Sequence, residues 1–138
     1  MIRFEEQAVV RAYPEIIFSI YEDVENWCRW DPDVESASIA GAFVPGAAGT
    51  LKPRYEPSVG MRLTEVDKNR SFTDETSLPL CRMKFKPHLV REGSATRVIH
   101  RVSFSGPLAF FFGRVIGRQV KRGLPEALKR LKAQAEKQ

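Results

Sequence analysis

The feature that most constrains this chain is a strand that runs directly into a long amphipathic segment in its last third. Thr96-Arg97-Val98-Ile99-His100-Arg101-Val102-Ser103-Phe104-Ser105 has the alternation of a strand, and Gly106-Pro107-Leu108 then opens an apolar stripe that ends at Ala135. Within it Leu108, Phe111, Phe112, Val115, Ile116, Val120, Leu124, Leu128, Leu131 and Ala135 return to one face at three- and four-residue steps, which predicts one long helix against an apolar surface. Phe111 and Phe112 fall on the buried side in this reading. Pro107 stands where a first-turn proline is tolerated, because the amide it lacks would have no intrahelical partner, and Gly106 supplies the turn out of the strand. Pro125 removes one backbone hydrogen bond and clashes with the carbonyl of Lys121, predicting a kink near Arg122 to Leu124. A kinked helix can follow a curved sheet, with room for a small molecule between the two.

Upstream, strands are expected at about Phe4 to Arg11, Val34 to Ala40, Thr50 to Tyr55, Gly60 to Val66, Phe72 to Ser77, Cys81 to Val90 and Ala95 to Ser105. Between the first two, Tyr13-Pro14-Glu15 opens a helix through Ile17, Phe18 and Tyr21, a second short helix covers Val24 to Trp30, and Asp31-Pro32-Asp33 stops it. The turns fall at Pro45-Gly46, Glu56-Pro57, Asp67-Lys68-Asn69, Leu78-Pro79-Leu80 and Arg91-Glu92-Gly93. No repeat, low-complexity run or linker divides the 138 residues, and a 43% hydrophobic content suits a single core, so one domain over residues 1–138 is expected.

Several function classes are disfavoured by composition. Cys28 and Cys81 are too few for a disulfide framework and form no C-x-x-C pair, which reads as two buried free thiols in a reducing compartment. The N-terminus has no signal-like apolar core, and no run approaches the ~18 apolar residues of a membrane span, so a soluble cytoplasmic protein is expected. Residues 106–138 hold eight Lys/Arg against two Glu, a net of +6 that leaves −1 for residues 1–105. Arg114, Arg118 and Arg122, beside Lys121, therefore make the outer helix face cationic. A solvated face explains this, and partner binding through that face is a minor alternative; no nucleic-acid motif with exposed aromatics accompanies it, so nucleic acid is not expected as a partner.

The last hairpin can be read in register. With its turn near Gly93-Ser94, Phe85 faces Val102, Pro87 faces His100 and Leu89 faces Val98 on the helix side of the sheet, unless a bulge at Pro87 shifts the alternation. Arg82, Lys84, Lys86 and His88 then share the solvent side with Arg97, Ile99, Arg101 and Ser103. His88 and His100 point to opposite faces and cannot share a metal, no ligand spacing completes a set, and no metal or other cofactor is expected. Ser103 lies outward, so nucleophilic catalysis has no visible constellation. Pro45-Gly46-Ala47-Ala48-Gly49-Thr50 lacks the lysine of a phosphate loop and reads as a tight turn.

The stretches Tyr13-Pro14-Glu15-Ile16-Ile17-Phe18, Asp23-Val24-Glu25-Asn26-Trp27-Cys28-Arg29-Trp30, Thr96 to Val102, Gly106-Pro107-Leu108, Phe112-Gly113-Arg114 and Arg122-Gly123-Leu124-Pro125 make the chain resemble the polyketide cyclase/dehydrase branch of the SRPBCC superfamily, which includes START lipid-transfer domains and the plant pollen-allergen fold. The resemblance covers essentially the whole chain and implies an α+β helix-grip fold: a seven-stranded curved antiparallel sheet around a long C-terminal helix, two short helices between strands one and two, and an internal cavity for apolar ligands. In that family the cavity serves carriers, cyclases and proteins of unknown role, so fold alone does not choose among them.

His100 is the leading polar candidate. Among Val98, Val102 and Phe104 its imidazole should be held neutral by desolvation, either to orient a ligand or act as a base, or as a core histidine satisfied by a protein partner. Trp27 and Trp30, three residues apart, either close one end of a pocket or pack in the core. Arg54 and Tyr55 either hold an acidic head group at the cavity mouth or form a surface turn. The expected ligand-binding set is Trp27, Trp30, Arg54, Tyr55, Met61, Leu63, Phe72, Met83, Phe85, His100, Phe104, Phe112 and Ile116. The expected function is binding of a small hydrophobic molecule, lipid-, aromatic- or polyketide-like, as carrier or sensor, by a monomer or homodimer. The alternative is a cyclase or dehydrase that uses His100 to move a proton.

Overall fold

Every second residue of Ala95–Ser105 is buried, and that single alternation orients the sheet. Thr96, Val98, His100, Val102 and Phe104 point inward while Arg97, Arg101 and Ser103 lie on the other face. The computed structural model describes residues 1–138 and has seven strands: β1 (Ile2–Val10), β2 (Val34–Ile39), β3 (Ala48–Pro53), β4 (Val59–Asp67), β5 (Ser71–Leu78), β6 (Cys81–Glu92) and β7 (Ala95–Ser105). They form one antiparallel sheet in the order β1-β7-β6-β5-β4-β3-β2. The first two strands therefore sit at opposite edges. The chain crosses between them through α1 (Pro14–Glu22) and a 3-10 helix, Val24–Arg29.

The β6/β7 register is the expected one, with Phe85 opposite Val102, Pro87 opposite His100 and Leu89 opposite Val98, and Pro87 introduces no shift into it. The irregularities fall elsewhere, between Val34 and Ser36 in β2 and between Leu63 and Glu65 in β4. On the outer face the expected cations are partly neutralised: Arg101 pairs with Glu5 at 2.7 Å, Arg97 with Glu92 at 3.1 Å and Arg82 with Glu75 at 3.4 Å.

The C-terminal stripe departs from expectation in three ways. It forms two helices, α2 (Ala109–Val115) and α3 (Gly117–Glu136), and the break is at Ile116, while α3 runs through Pro125 without interruption. Gly113 and Gly117 flank that break and weaken the helix there, but a Cβ at Gly113 would lie 2.8 Å from Ile2 Cδ1 and one at Gly117 2.6 Å from Phe4 Cζ. A side chain at either position would therefore force the facing β1 side chain, Ile2 or Phe4, to shift. Second, α2 begins at Ala109, so Pro107 precedes the helix instead of occupying its first turn. Gly106 does carry the turn, at φ 104°, where a Cβ would also meet the Leu80 carbonyl oxygen at 2.9 Å. Third, Phe111 is 55% exposed and Val115 63% exposed, along with Phe110, so the stripe does not stay buried through α2. Buried residues of the stripe are confined to α3: Val120, Leu124, Leu128, Leu131 and Ala135. Arg114, Arg118, Lys121 and Arg122 are exposed, as the charge pattern suggested.

Two apolar clusters result. The larger lies under α1 and the C-terminal half of α3 and holds Phe18, Tyr21, Trp27, Trp30, Leu63, Phe72, Val98 and Leu131; full burial of a leucine such as Leu131 stabilises by about 1.5–3 kcal/mol. The smaller lies under α2 and the start of α3 around Val102, Phe104, Val120 and Leu124. Cys81 belongs to the smaller cluster, Cys28 is half-buried, and both are free thiols. No helix is long and apolar enough to cross a membrane.

Candidate functional site

A cavity of about 130 Å³ lies beneath α3 at the seam between the two clusters, and takes walls from both. Trp27, Val34, Phe85 and Ala127 come from the larger cluster and its margin, while Leu78, Met83, Val102, Ile116, Val120 and Leu124 come from the smaller. The sheet positions its share by simple pairing: Asp74 on β5 is opposite Phe85 on β6, and Phe85 is opposite Val102 on β7, so one row of inward side chains crosses the floor.

His100, two residues along β7 from Val102, lies on the same face, fully buried and lining the cavity. Its Nε2 and the Tyr21 hydroxyl share a hydrogen bond at 2.8 Å, and its Nδ1 has no partner. Rings of Phe85, Trp30 and Tyr21 surround it at centroid distances of 5.1, 5.8 and 5.9 Å. Burial therefore disfavours the imidazolium and pushes the His100 pKa down to about 3, so the ring is neutral, with one nitrogen held by the protein and one left over. Burial also raises the Tyr21 phenol well above its ordinary range, so it stays protonated.

The remaining polar lining is acidic. Asp74 is 5% exposed, and burial, helped by the like charge of Asp31, pushes its carboxyl up to about 8. Asp31 Oδ1 accepts the Asp33 amide at 3.0 Å, yet desolvation still raises its pKa to about 7. Asp33 Oδ1 accepts from Gln119 Nε2 at 3.4 Å, its carboxylate lies against Gly123 of α3, and its pKa is raised, chiefly by desolvation. Glu56 completes the set.

Of the thirteen residues expected at the site, Trp27, Met83, Phe85, His100 and Ile116 line the cavity. The others do not. Trp30, Met61, Leu63 and Phe72 pack within the larger cluster, because side chains of α1 and the 3-10 helix fill the space above them. Trp30 is nonetheless the ring beside His100, and its buried Nε1 has no partner. Phe104 and Phe112 belong to the smaller cluster. Arg54 donates from Nε to the Pro32 carbonyl at 2.8 Å and so supports the Asp31-Pro32-Asp33 turn from outside, and Tyr55 is 80% exposed. Neither touches the cavity.

Sequence reasoning missed Asp31, Asp33, Glu56, Asp74, Thr76 and Gln119. Asp31 and Asp33 were read only as a helix stop. A usable signal existed for Asp74: once Phe72 is inward, period-two alternation turns Asp74 and Thr76 inward as well. His88 is exposed and His100 buried, so they do lie on opposite faces, as the register required.

The family model described as "Polyketide cyclase / dehydrase and lipid transport" matches residues 1–136. Among solved structures, the chain is similar to the Zhui aromatase/cyclase from Streptomyces sp. R1128, with a TM-score of 0.79 at 15% identity over 98% of this chain and 93% of that one. It is similar to a START superfamily protein from Mycobacterium smegmatis, with a TM-score of 0.75 at 16% identity over 98% and 97% of the two chains. It is equally similar to Ara h 8.0201, with a TM-score of 0.75 at 16% identity over 99% of both. These likenesses show the fold, a seven-stranded antiparallel sheet wrapped on a C-terminal helix in the helix-grip manner. No curated protein sequence matches the chain.

Proposed function

The chain belongs to the polyketide cyclase / dehydrase and lipid transport family, and on that premise we propose that it binds a small, largely apolar molecule in the cavity beneath α3, as a carrier or sensor. The observation that carries this reading is His100: a fully buried imidazole lining a partly open cavity, with Nδ1 unpaired. Buried polar atoms are nearly always satisfied, so an orphan on a cavity-lining residue points to a missing partner. Twelve of the 21 lining residues are hydrophobic, which suits an apolar body with a few polar anchor points. The volume limits the guest, since an engineered apolar cavity of about 150 Å³ accommodates benzene. One ring or a short acyl segment fits; a long folded polyketide requires the walls to open.

Native mass spectrometry of the protein purified from its own host, followed by extraction of anything bound, tests this reading. A single recurring apolar adduct supports it. A clean mass, together with no binding of single-ring compounds, overturns it.

A second reading is enzymatic, and the raised carboxyls of Asp31 and Asp74 favour it, because neutral acids beside a neutral imidazole can give and accept protons in a dry site. A cyclase or dehydrase of this kind turns over a poly-β-ketone-like substrate. Its test is His100→Ala, which should slow turnover by the ~100-fold typical of losing a general base; equal rates would remove His100 from the chemistry.

A further inference from the structure

The charged groups of the cavity are all of one sign. Asp31, Asp33, Glu56 and Asp74 line it, and no Lys or Arg does. Asp74 is the deepest of them, 5% exposed, and neither a hydrogen bond nor an ion pair reaches its carboxyl. His100, fully buried, lines the same space and carries an Nδ1 with no partner, an independent sign that the polar contacts here are incomplete. We propose that the cavity is built for a ligand carrying a protonated amine on a small apolar body, with Asp74 as its counter-ion. This rests on the ligand-binding reading above and specifies the class of ligand.

The argument is one of elimination by charge. A buried carboxyl without a partner is costly compared with an apolar residue of similar size, so packing gives no reason for Asp74. An anionic ligand would add a further negative charge to a site that already holds four carboxyl groups. A neutral ligand would meet Asp74 only as the protonated acid and would gain no charge pairing from it. An ammonium has three N–H donors and no acceptor, which matches a lining rich in carboxyl oxygens.

Protons balance in a way that can be measured. Burial keeps Asp74 mostly protonated at neutral pH and Asp31 about half so; as the ammonium binds, Asp74 gives up its proton to solvent and the ion pair forms. The other titratable groups of the lining are Asp33, Glu56 and His100, with Tyr21 hydrogen-bonded to His100 outside the lining. Arg130 acts on Asp31 and Arg54 on Asp33 from outside the cavity.

Calorimetry at pH 7 with phenethylamine, phenethyl alcohol and hydrocinnamate, which share one ring and differ in charge, tests the proposal. The amine should bind at least about tenfold more tightly than the alcohol, the minimum expected of a charge-assisted hydrogen bond in a dry site, and the acid should bind most weakly. Asp74→Asn should remove the preference for the amine over the alcohol. In the unsubstituted protein, titration in two buffers of different ionisation enthalpy should show proton release with the amine and none with the alcohol. Alcohol or acid binding as tightly as the amine, or amine binding without proton release, overturns the amine class while leaving cavity binding intact. Failure of all three compounds to bind overturns both.

Discussion

Replacing Asp74 with Asn should stabilise the protein by an amount that grows with pH, even with nothing bound. The Asp74 carboxyl has its pKa raised from 3.8 to about 8 because it is buried, with Asp31 adding like charge. Between those values the folded chain holds a proton that the unfolded chain has released, so each pH unit subtracts from stability; above the folded value the loss is complete. Each unit is worth about 1.4 kcal/mol, so moving from pH 5 to pH 8 should cost the unsubstituted protein about 4 kcal/mol through this one group. Asparagine has nearly the same shape and does not titrate, and groups shared by the two proteins cancel in the difference. The assay is urea denaturation of both proteins followed by circular dichroism at pH 5, 6, 7 and 8. The variant should already lead by about 1.6 kcal/mol at pH 5, from the interval above 3.8, and the gap should widen by about 4 kcal/mol more up to pH 8. A constant gap across that range would refute the reasoning, because it would mean that the Asp74 carboxylate is solvated or paired in the folded state. Asp31→Asn should shift the steepest part of the widening to lower pH, since it removes a like charge acting on Asp74.

His100 should show the opposite dependence: burial lowers its pKa from 6.5 to about 3, so the unfolded state binds the extra proton and stability is lost as pH falls through that window. His100→Gln should therefore gain relative to the unsubstituted protein as pH drops from 7 to 4, and denaturation midpoints that run parallel would contradict a desolvated imidazole. Tyr21→Phe deletes the partner of His100 Nε2 and should cost about 1–3 kcal/mol of stability, with a change in the imidazole nitrogen shifts by NMR; unchanged shifts would mean that the bond does not hold the ring. Gly117→Ala gains about 1 kcal/mol of helix propensity but drives a methyl group to 2.6 Å from Phe4 Cζ, so a net loss of about 1–3 kcal/mol is expected in urea unfolding. A higher midpoint for this variant would show that the Phe4 ring turns aside freely.

The fold was legible because it rests on local periodicities. Alternation in Thr96 to Phe104 places its inward face, and the β6/β7 register follows from a tight turn and one proline that does not disturb it. The limits of local reasoning appear at Ile116. The stripe through Phe111 and Val115 has the correct spacing for one helix, but spacing is blind to where a helix ends, and the break leaves both side chains exposed. Pro125, where a kink is expected, lies within the continuous span of α3, whereas Gly113 and Gly117 mark the place where β1 side chains press against the helical segment.

The site divides along the same line. The inward position and neutral state of His100 need only the strand's alternation and an apolar neighbourhood, which are properties of the chain itself. Which inward residues border space and which are sealed over depends on the third dimension: Phe72 and Asp74 are both inward on β5, yet the aromatic side chains of α1 and the 3-10 helix cover one while the other opens beneath α3. The acidic character of the cavity is likewise assembled from far apart, with Asp31 and Asp33 brought by the end of a helical turn, Glu56 by a loop and Asp74 by a central strand. By itself the sequence determined the elements, the sheet's inward face and the placement of His100, because these depend on neighbours along the chain. Tertiary structure alone decided the cavity, its one-signed lining and the exposed aromatic end of α2, because burial and electrostatic environment depend on which distant segments come to lie side by side.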